Sequence, residues 1–342
     1  MLKKPPLVSV VMSVYNGGLY LQEAIDSILS QRYNNFEFII IDDGSSDHTE
    51  SIILTNYDNR IRYFRNEVNK GLIYSLNFAI DQARGEFIAR MDADDIATID
   101  RIEQQIDFLI SNPDHGICGT NYIQIDRNGK LISKVSLPLT NIDAQTFLFF
   151  GNCFCHSSMI IRASLIRLFQ YRAEFLVCED YDLWSRMAKK TKVANLPHFS
   201  ILYRIHEKNI SIQKKQTMHN GIVKINARFL NECGMKYTQE ELTLHANFLQ
   251  YNYLFYKEQT DIIALQLWLL KLIGHLEKSK EINKDLALKT ILYKWISICF
   301  NVRNFKKLLI NPFFQKFRIV YIKCILKKML QGIMYKRILD AY

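Results

Sequence analysis

No C-x-x-C pair occurs among the seven cysteines of this 342-residue chain, which are scattered at Cys118, Cys153, Cys155, Cys178, Cys233, Cys299 and Cys324. That excludes the paired-cysteine type of structural zinc site, and an odd, dispersed set fits a reducing compartment better than a disulfide framework. A membrane-length apolar run is also missing. The longest late stretch, "IIALQLWLLKLIG" from Ile262, is broken by Gln266 and Lys271 and falls short of the ~20 residues a span needs. The opening "MLKKPPLVSVVMSVYNGG" mimics a signal peptide, but Pro5-Pro6 and the lack of a small-x-small cleavage site argue against one. No Pro/Gly/Ser linker, internal repeat or low-complexity tract divides the chain. What is present is ordinary globular composition, 49% hydrophobic and 23% charged, enough for a full-sized domain and a smaller one.

The first hundred residues alternate between two periodicities. "LVSVVMSVY" and "FEFIIIDD" are apolar runs of strand length, dense enough to be buried on both faces. Between them, Leu21, Ala24, Ile25, Ile28 and Leu29 recur at helical spacing. A further helical segment, "LIYSLNFAIDQA", leads through Gly85 into the strand "EFIARMD". The repeated strand-helix-strand order predicts an α/β fold, doubly wound around a mostly parallel sheet. Beyond residue 110 the pattern loosens, with a hairpin expected at "DRNGK", 126 to 130. From about residue 214 it becomes helical. The domain expectation is therefore 1–235 for the α/β part and 236–342 for a helical, basic extension.

Two acidic clusters, "IDDGSSD" at 41 to 47 and "MDADD" at 91 to 95, fall at strand ends, where ligands of doubly wound sheets bind. Each has a plain reading. The first is rich in turn formers, and the second would suit the start of a helix, whose free N–H groups and dipole favour carboxylates. Neither explains why both lie on one sheet edge. A hard divalent cation does: Asp92 and Asp94, two apart at a strand end, can turn toward one Mn²⁺ or Mg²⁺ whose remaining positions a diphosphate fills. The metal converts an acidic pocket into one that accepts an anionic substrate.

The segments "VSVVMSVYNGGLYLQEAIDSILSQ", "EFIIIDDGSSDHT", "NKGLIYSLNFAIDQARGEFIARMDADD", "DRIEQQIDFLISNP" and "CEDYDLWSRM", in that order, resemble the family 2 glycosyltransferases of GT-A fold over roughly residues 7 to 215. The resemblance implies transfer of a sugar from a nucleotide-diphosphate donor, a UDP-sugar in the first instance, to a hydroxyl of a glycan or lipid-linked acceptor in bacterial polysaccharide assembly. It places the nucleotide against Val14 and Tyr15, the base on Asp43, and Lys70 close by. Asp92 would face ribose and metal, and Asp94 would ligate the metal directly. Ser13 departs from the family, where proline is common; this touches strand-end rigidity and not chemistry. Glu179 and Asp180 could simply open a helix, but the family places its catalytic base at this pair. Asp180 is the expected base, supported by Glu179, with inversion at the anomeric carbon. His206, in "LYRIHEKNIS", is a candidate third metal ligand or a structural histidine. His156 matches a family position on the acceptor side without an assigned role.

Three other classes compete. A nucleotidyltransferase making sugar nucleotides would need a glycine-rich basic loop where "SVYNGG" stands. A nucleic-acid binder is suggested by the net charge of +10, yet no binding motif is present. An inactive scaffold is disfavoured by the intact Asp43, Asp92, Asp94 and Asp180. The charge itself is localised: residues 303–342 hold ten Lys/Arg against Asp340, or +9 of the +10. Phe313, Phe314, Phe317, Val320, Tyr321, Ile325, Met329 and Ile333 are interleaved at helical spacing. A solvated helix on the catalytic domain and a helix on an anionic membrane surface both fit. The membrane reading implies a cytoplasmic protein held peripherally on the inner face of the cell membrane, with no nucleic-acid partner.

Overall fold

A computed structural model describes residues 4–250, 253–256, 259–279 and 282–301. The chain separates into two compact units. One comprises the residues up to Gln145 together with Asn152–Gly221; the other comprises Thr146–Gly151 and the chain from Ile222 onward.

The first unit is built on a nine-stranded sheet. Its strands are β1 (Val8–Val14), β2 (Phe36–Asp42), β3 (Ile61–Arg65), β4 (Phe87–Arg90), β5 (Ile96–Ala97), β6 (His115–Ile125), β7 (Leu131–Val135), β8 (Ile160–Arg162) and β9 (Lys192–Arg204). The spatial order is β3-β2-β1-β4-β8-β6-β9-β5, with β7 paired to β6. β3, β2, β1 and β4 run parallel, and β8 joins β4 antiparallel. β1 and β2 are buried at every position, as their unbroken apolar runs require, because helices cover both faces of a parallel sheet. Helix Leu21–Leu29 buries Leu21, Ala24, Ile25 and Ile28, the stripe read from the sequence. The expected hairpin forms between β6 and β7, where Asp126 Oδ1 accepts the N–H groups of Asn128 at 2.8 Å and Lys130 at 2.9 Å, and Gly129 adopts φ 82°.

The second unit is helical. Helices Gln239–Leu249, Gln259–Leu276 and Lys284–Asn301, with the part of helix Lys215–Glu232 from Ile222 onward, enclose a core that includes Phe248, Leu265, Trp268, Leu269, Ile291 and Trp295. Thr238 and Glu241 cap one helix reciprocally, each side chain accepting the other's backbone N–H. Lys294 is buried in this unit, its Nζ donating to the Leu249 carbonyl at 2.8 Å, and burial pushes its ammonium down to about 7. Among the described residues no helix is long and apolar enough to cross a membrane. The basic segment 303–342 lies outside the described residues.

Candidate active site

The parallel strands end at a common edge, and the loops leaving them are stitched together. The Val14 carbonyl accepts the Asp43 N–H at 2.8 Å, joining the ends of β1 and β2. Past Val14 the chain turns through Asn16 at φ 51°, whose N–H donates to Ser45 Oγ at 2.9 Å and whose Oδ1 accepts the Ser46 N–H at 2.9 Å. Asp42 and Asp47 serve the turn, accepting from Ser45 N at 2.8 Å and Thr49 N at 3.0 Å. Gly44 stands at φ 76°, and a Cβ there would lie 2.7 Å from the Val68 carbonyl carbon, so glycine is required.

Asp43 differs from its neighbours. It is buried, and its carboxylate accepts from Asn66 Nδ2 at 2.7 Å, Lys70 N at 2.9 Å and Gly71 N at 2.8 Å. It thereby ties loop 66–71 to the end of β2. Lys70 contributes its backbone here, while its exposed ammonium lies 4.7 Å over the Tyr74 ring. Tyr15 presents an exposed ring beside this loop system, 52% accessible.

The second acidic cluster leaves β4 and divides three ways. Asp94 Oδ2 is 3.0 Å from His206 Nε2 and 3.4 Å from Asn209 Nδ2, and its side chain is 30% exposed, much as that of Asp92 at 28%. Asp92 Oδ1 pairs with Arg90, and its Oδ2 accepts the Ser157 hydroxyl at 2.6 Å. Burial works to raise the Asp92 carboxyl, but the Arg90 charge prevails and holds it below the usual range. Asp95 is buried, contacts the same Ser157 hydroxyl, and accepts the Arg204 N–H at 2.8 Å. Burial and the charges of Asp94 and Asp92 push its carboxyl well up. Arg204 in turn donates to the Asp94 carbonyl at 3.0 Å and to Glu23 at 2.7 Å, and lies over the Tyr20 ring that faces His206.

Asp94 and His206 thus come together, whereas Asp92 faces arginine and serine. Among the described residues no three His, Cys, Asp or Glu side chains converge as a closed metal cage. One carboxylate and one imidazole at an open edge nevertheless suit Mg²⁺ or Mn²⁺, which take few protein ligands and fill their shell with phosphate and water. The donor set fits such a cation.

Glu179 and Asp180 begin helix Glu179–Met187, in an acidic first turn that also holds Asp182. Asp182 is buried between Arg172, 2.9 Å away through Nε, and Arg186 at 2.8 Å, which fixes the preceding loop on the helix. Asp180 is half-buried; its Oδ2 accepts from Asn152 Nδ2 at 2.6 Å and its Oδ1 from Tyr181 N at 2.6 Å. Burial lifts its carboxyl to about 6, against the pull of those two donors. Glu179 is buried with Oε2 unpartnered, and burial plus the Asp180 charge lifts it to about 7. Asp180, the lower of the two, is mostly ionised at neutral pH yet basic enough to take a proton.

Arg90, Ser157, Asn152, Tyr171 and Arg204 also reach the site. Arg90 and Asp95 were visible inside "ARMDADD", and a buried arginine before a carboxylate pair is itself a signal. Ser157 and Asn152 carried none, because their partners lie at least 28 positions away. His156 finds a place: Nε2 meets the Tyr171 hydroxyl at 2.7 Å, its ring packs on Trp184, and burial with the Arg90 charge pushes it down to about 3. It is neutral.

Comparison with known proteins bears on the family and the fold. The profile described as "Glycosyl transferase family 2" matches residues 9–169. An uncharacterized glycosyltransferase of Haemophilus influenzae is 32% identical over 302 residues, covering 84% of this chain and 85% of its own. The O-antigen biosynthesis glycosyltransferase WbnJ of Escherichia coli is 33% identical over 209 residues, 59% of this chain and 81% of its own. Among solved structures, S. aureus TarS 1-349 superposes with TM-score 0.55 at 16% identity, over 95% of this chain and 91% of that one. The mannosyltransferase PcManGT of Pyrobaculum calidifontis, in complex with GDP-Man and Mn²⁺, gives TM-score 0.55 at 15% identity, over 96% and 88%. The sheet is that of the GT-A transferases, and the chain belongs to glycosyltransferase family 2.

Proposed function

We propose that the protein is an inverting glycosyltransferase that moves a sugar from a nucleotide-diphosphate donor to a hydroxyl of a glycan or lipid-linked acceptor. The observation that carries this reading is the pairing of two unlike carboxylate centres at one sheet edge: Asp94 beside an imidazole, and Asp180 lifted to about 6. The first is suited to a cation, the second to a proton.

Val14, Tyr15, Asp43 and Lys70 flank the nucleotide, with Asp43 reading the base once loop 66–71 yields one of its bonds. A UDP-sugar is the expected donor, supported by TarS structures in complex with UDP and with UDP-GlcNAc. Asp94, Asp92 and His206 would hold Mn²⁺ or Mg²⁺, and PcManGT in complex with Mn²⁺ supports such a metal. When bound, the cation supplies positive charge to the departing diphosphate. Asp180 accepts the proton of the acceptor hydroxyl as the new bond forms, a contribution of ~10²–10⁴-fold. Asn152 and the Tyr181 N–H hold its two oxygens in place. A lone base with no second carboxylate nucleophile implies direct displacement and inversion.

The +9 segment 303–342 suits an anionic membrane surface, where each basic residue contributes ~1 kcal/mol, and would hold the active site near a lipid-linked acceptor on the cytoplasmic face. The O-antigen role in WbnJ's name supports a place in surface polysaccharide assembly. Thermal-shift measurement with UDP-, GDP- and dTDP-sugars, with and without Mn²⁺, tests the reading. A metal-dependent rise with one class supports it, and no response to any donor overturns it. Binding without turnover would favour an inactive scaffold.

A further inference from the structure

Two residues around Cys178 stand where the local backbone favours a different side chain. Val177 has φ 73°, in the left-handed region that a β-branched residue almost never enters. It follows Leu176 at φ −49°, ψ 132°, and the Cys178 N–H donates to the Phe175 carbonyl at 2.9 Å, so residues 175 to 178 have the pattern of a type II turn, with valine where glycine or asparagine is usual. Among the described residues the other non-glycine positions with positive φ are Asn16 and Gln170, and neither is β-branched. Gly221 is the opposite case. It lies buried within helix Lys215–Glu232, where alanine would favour the helix and glycine does not. One contact accounts for both. A Cβ on Gly221 would lie 2.1 Å from Cys178 Sγ, so glycine is what lets the thiol seat against that helix. Cys178 is buried there, and the chain reaches it through the strained turn. Cys178 also starts the helix that carries the base. Its carbonyl accepts the Asp182 N–H at 3.0 Å, the first bond of helix Glu179–Met187, and Glu179 closes back on the turn by accepting a backbone hydrogen bond from Val177. Asp180 follows two residues on.

We propose that this turn is a strained latch: Val177, Cys178 and Gly221 are positioning residues that fix the first turn of helix Glu179–Met187 and so the place of the Asp180 carboxylate. The latch deepens the assignment of Asp180 as base and rests on that reading for its meaning. Strain is retained at such a point because a relaxed turn would let the helix start wander, and a base works only within hydrogen-bond reach of the proton it takes. Asn152 and the Tyr181 N–H orient the two oxygens of Asp180, and the latch sets the backbone beneath them.

The test uses the contact itself, in the full chain. Gly221→Ala drives a methyl group into the thiol, whereas in the double variant Gly221→Ala, Cys178→Ala the two Cβ atoms would lie 3.8 Å apart, an ordinary van der Waals separation. Hydrogen exchange, read by mass spectrometry on the peptide that includes Cys178 and Asp182, is expected to quicken ~10-fold in the single variant and to return most of the way in the double one. Turnover, read as UDP, GDP or dTDP released from the corresponding sugar nucleotides, should fall ~10–100-fold with donor KM nearly unchanged, and recover with the exchange. A general packing defect would lower the melting temperature without that split or that rescue. Unchanged exchange in folded Gly221→Ala, no recovery in the double variant, or normal turnover in a variant whose exchange has quickened overturns the proposal. If Gly221→Ala does not fold, Val177→Gly relaxes the turn and leaves the contact in place. The same amides should then exchange faster with no loss of melting temperature, and protection equal to the wild type's overturns the latch. The exchange measurements need no donor, so a protein inactive with every sugar nucleotide would refute the transferase reading and leave the latch to be judged by its exchange.

Discussion

His206 Nε2 lies 3.0 Å from Asp94 Oδ2, joining residues 112 positions apart. The contact brings together, from a strand exit and the loop after β9, two of the side chains proposed to hold the metal. Asp94→Ala is therefore expected to abolish metal-dependent donor binding, read by calorimetry with UDP and Mn²⁺, with little change in melting temperature because the carboxylate is at an open edge. Full turnover in EDTA would refute the metal assignment.

Asp180→Asn keeps the shape and removes the base. Turnover should fall ~10²–10⁴-fold with donor affinity nearly unchanged. In the wild type, activity needs the ionised form, so the rate should decline as pH drops through about 6. A pH-rate profile flat across that range would exclude Asp180.

Ser157→Ala removes one hydroxyl that serves both Asp92 and Asp95. Losing it takes a hydrogen-bond partner from the buried Asp95 carboxyl and the part-exposed Asp92 carboxylate, at ~1–3 kcal/mol. Denaturant unfolding should register that loss together with weaker donor binding; unaltered donor binding would mean that Asp92 is held by Arg90 by itself.

Asp182→Ala removes the buried carboxylate that Arg172 and Arg186 share, while Arg172 keeps Glu174 and Arg186 keeps the Phe169 and Gln170 carbonyls. A cost of ~1–3 kcal/mol is expected, because charge-assisted hydrogen bonds are lost but the arginines stay partly exposed. The chemical midpoint of unfolding reads it, and a change below about 1 kcal/mol would show that water reaches those arginines.

Deleting residues 303–342 should abolish sedimentation with anionic vesicles, and high salt should release the full-length protein. Equal binding of both forms would move the anchor elsewhere.

The sheet was legible because β1 and β2 are continuous apolar runs and helix Leu21–Leu29 carries a clean stripe. Strand β3, Ile61–Arg65, carries two arginines in five residues, sits half-buried at the sheet's edge, and offered no comparable signal. The sites divide in the same way. Asp92, Asp94 and Asp180 stand in compact acidic motifs, whereas Asn152, Ser157 and Tyr171 act through partners that only the folded chain brings near. Asp43 was legible as a carboxylate at a strand end, but its three bonds to loop 66–71 follow from the path of the chain after β3.

Strand β9 lies between β6 and β5 in the sheet although it comes last in the chain. β5 pairs with it at Ile96 and Ala97, and His206 follows two residues beyond its end. During vectorial synthesis, at ~5–20 residues per second, β1 to β4 can pair as they emerge. Asp94 has no imidazole beside it, and β5 no neighbour, until Lys192–Arg204 has cleared the ribosome, ~5–20 seconds after the DADD segment. The nascent chain therefore carries its acidic edge without the imidazole for that interval.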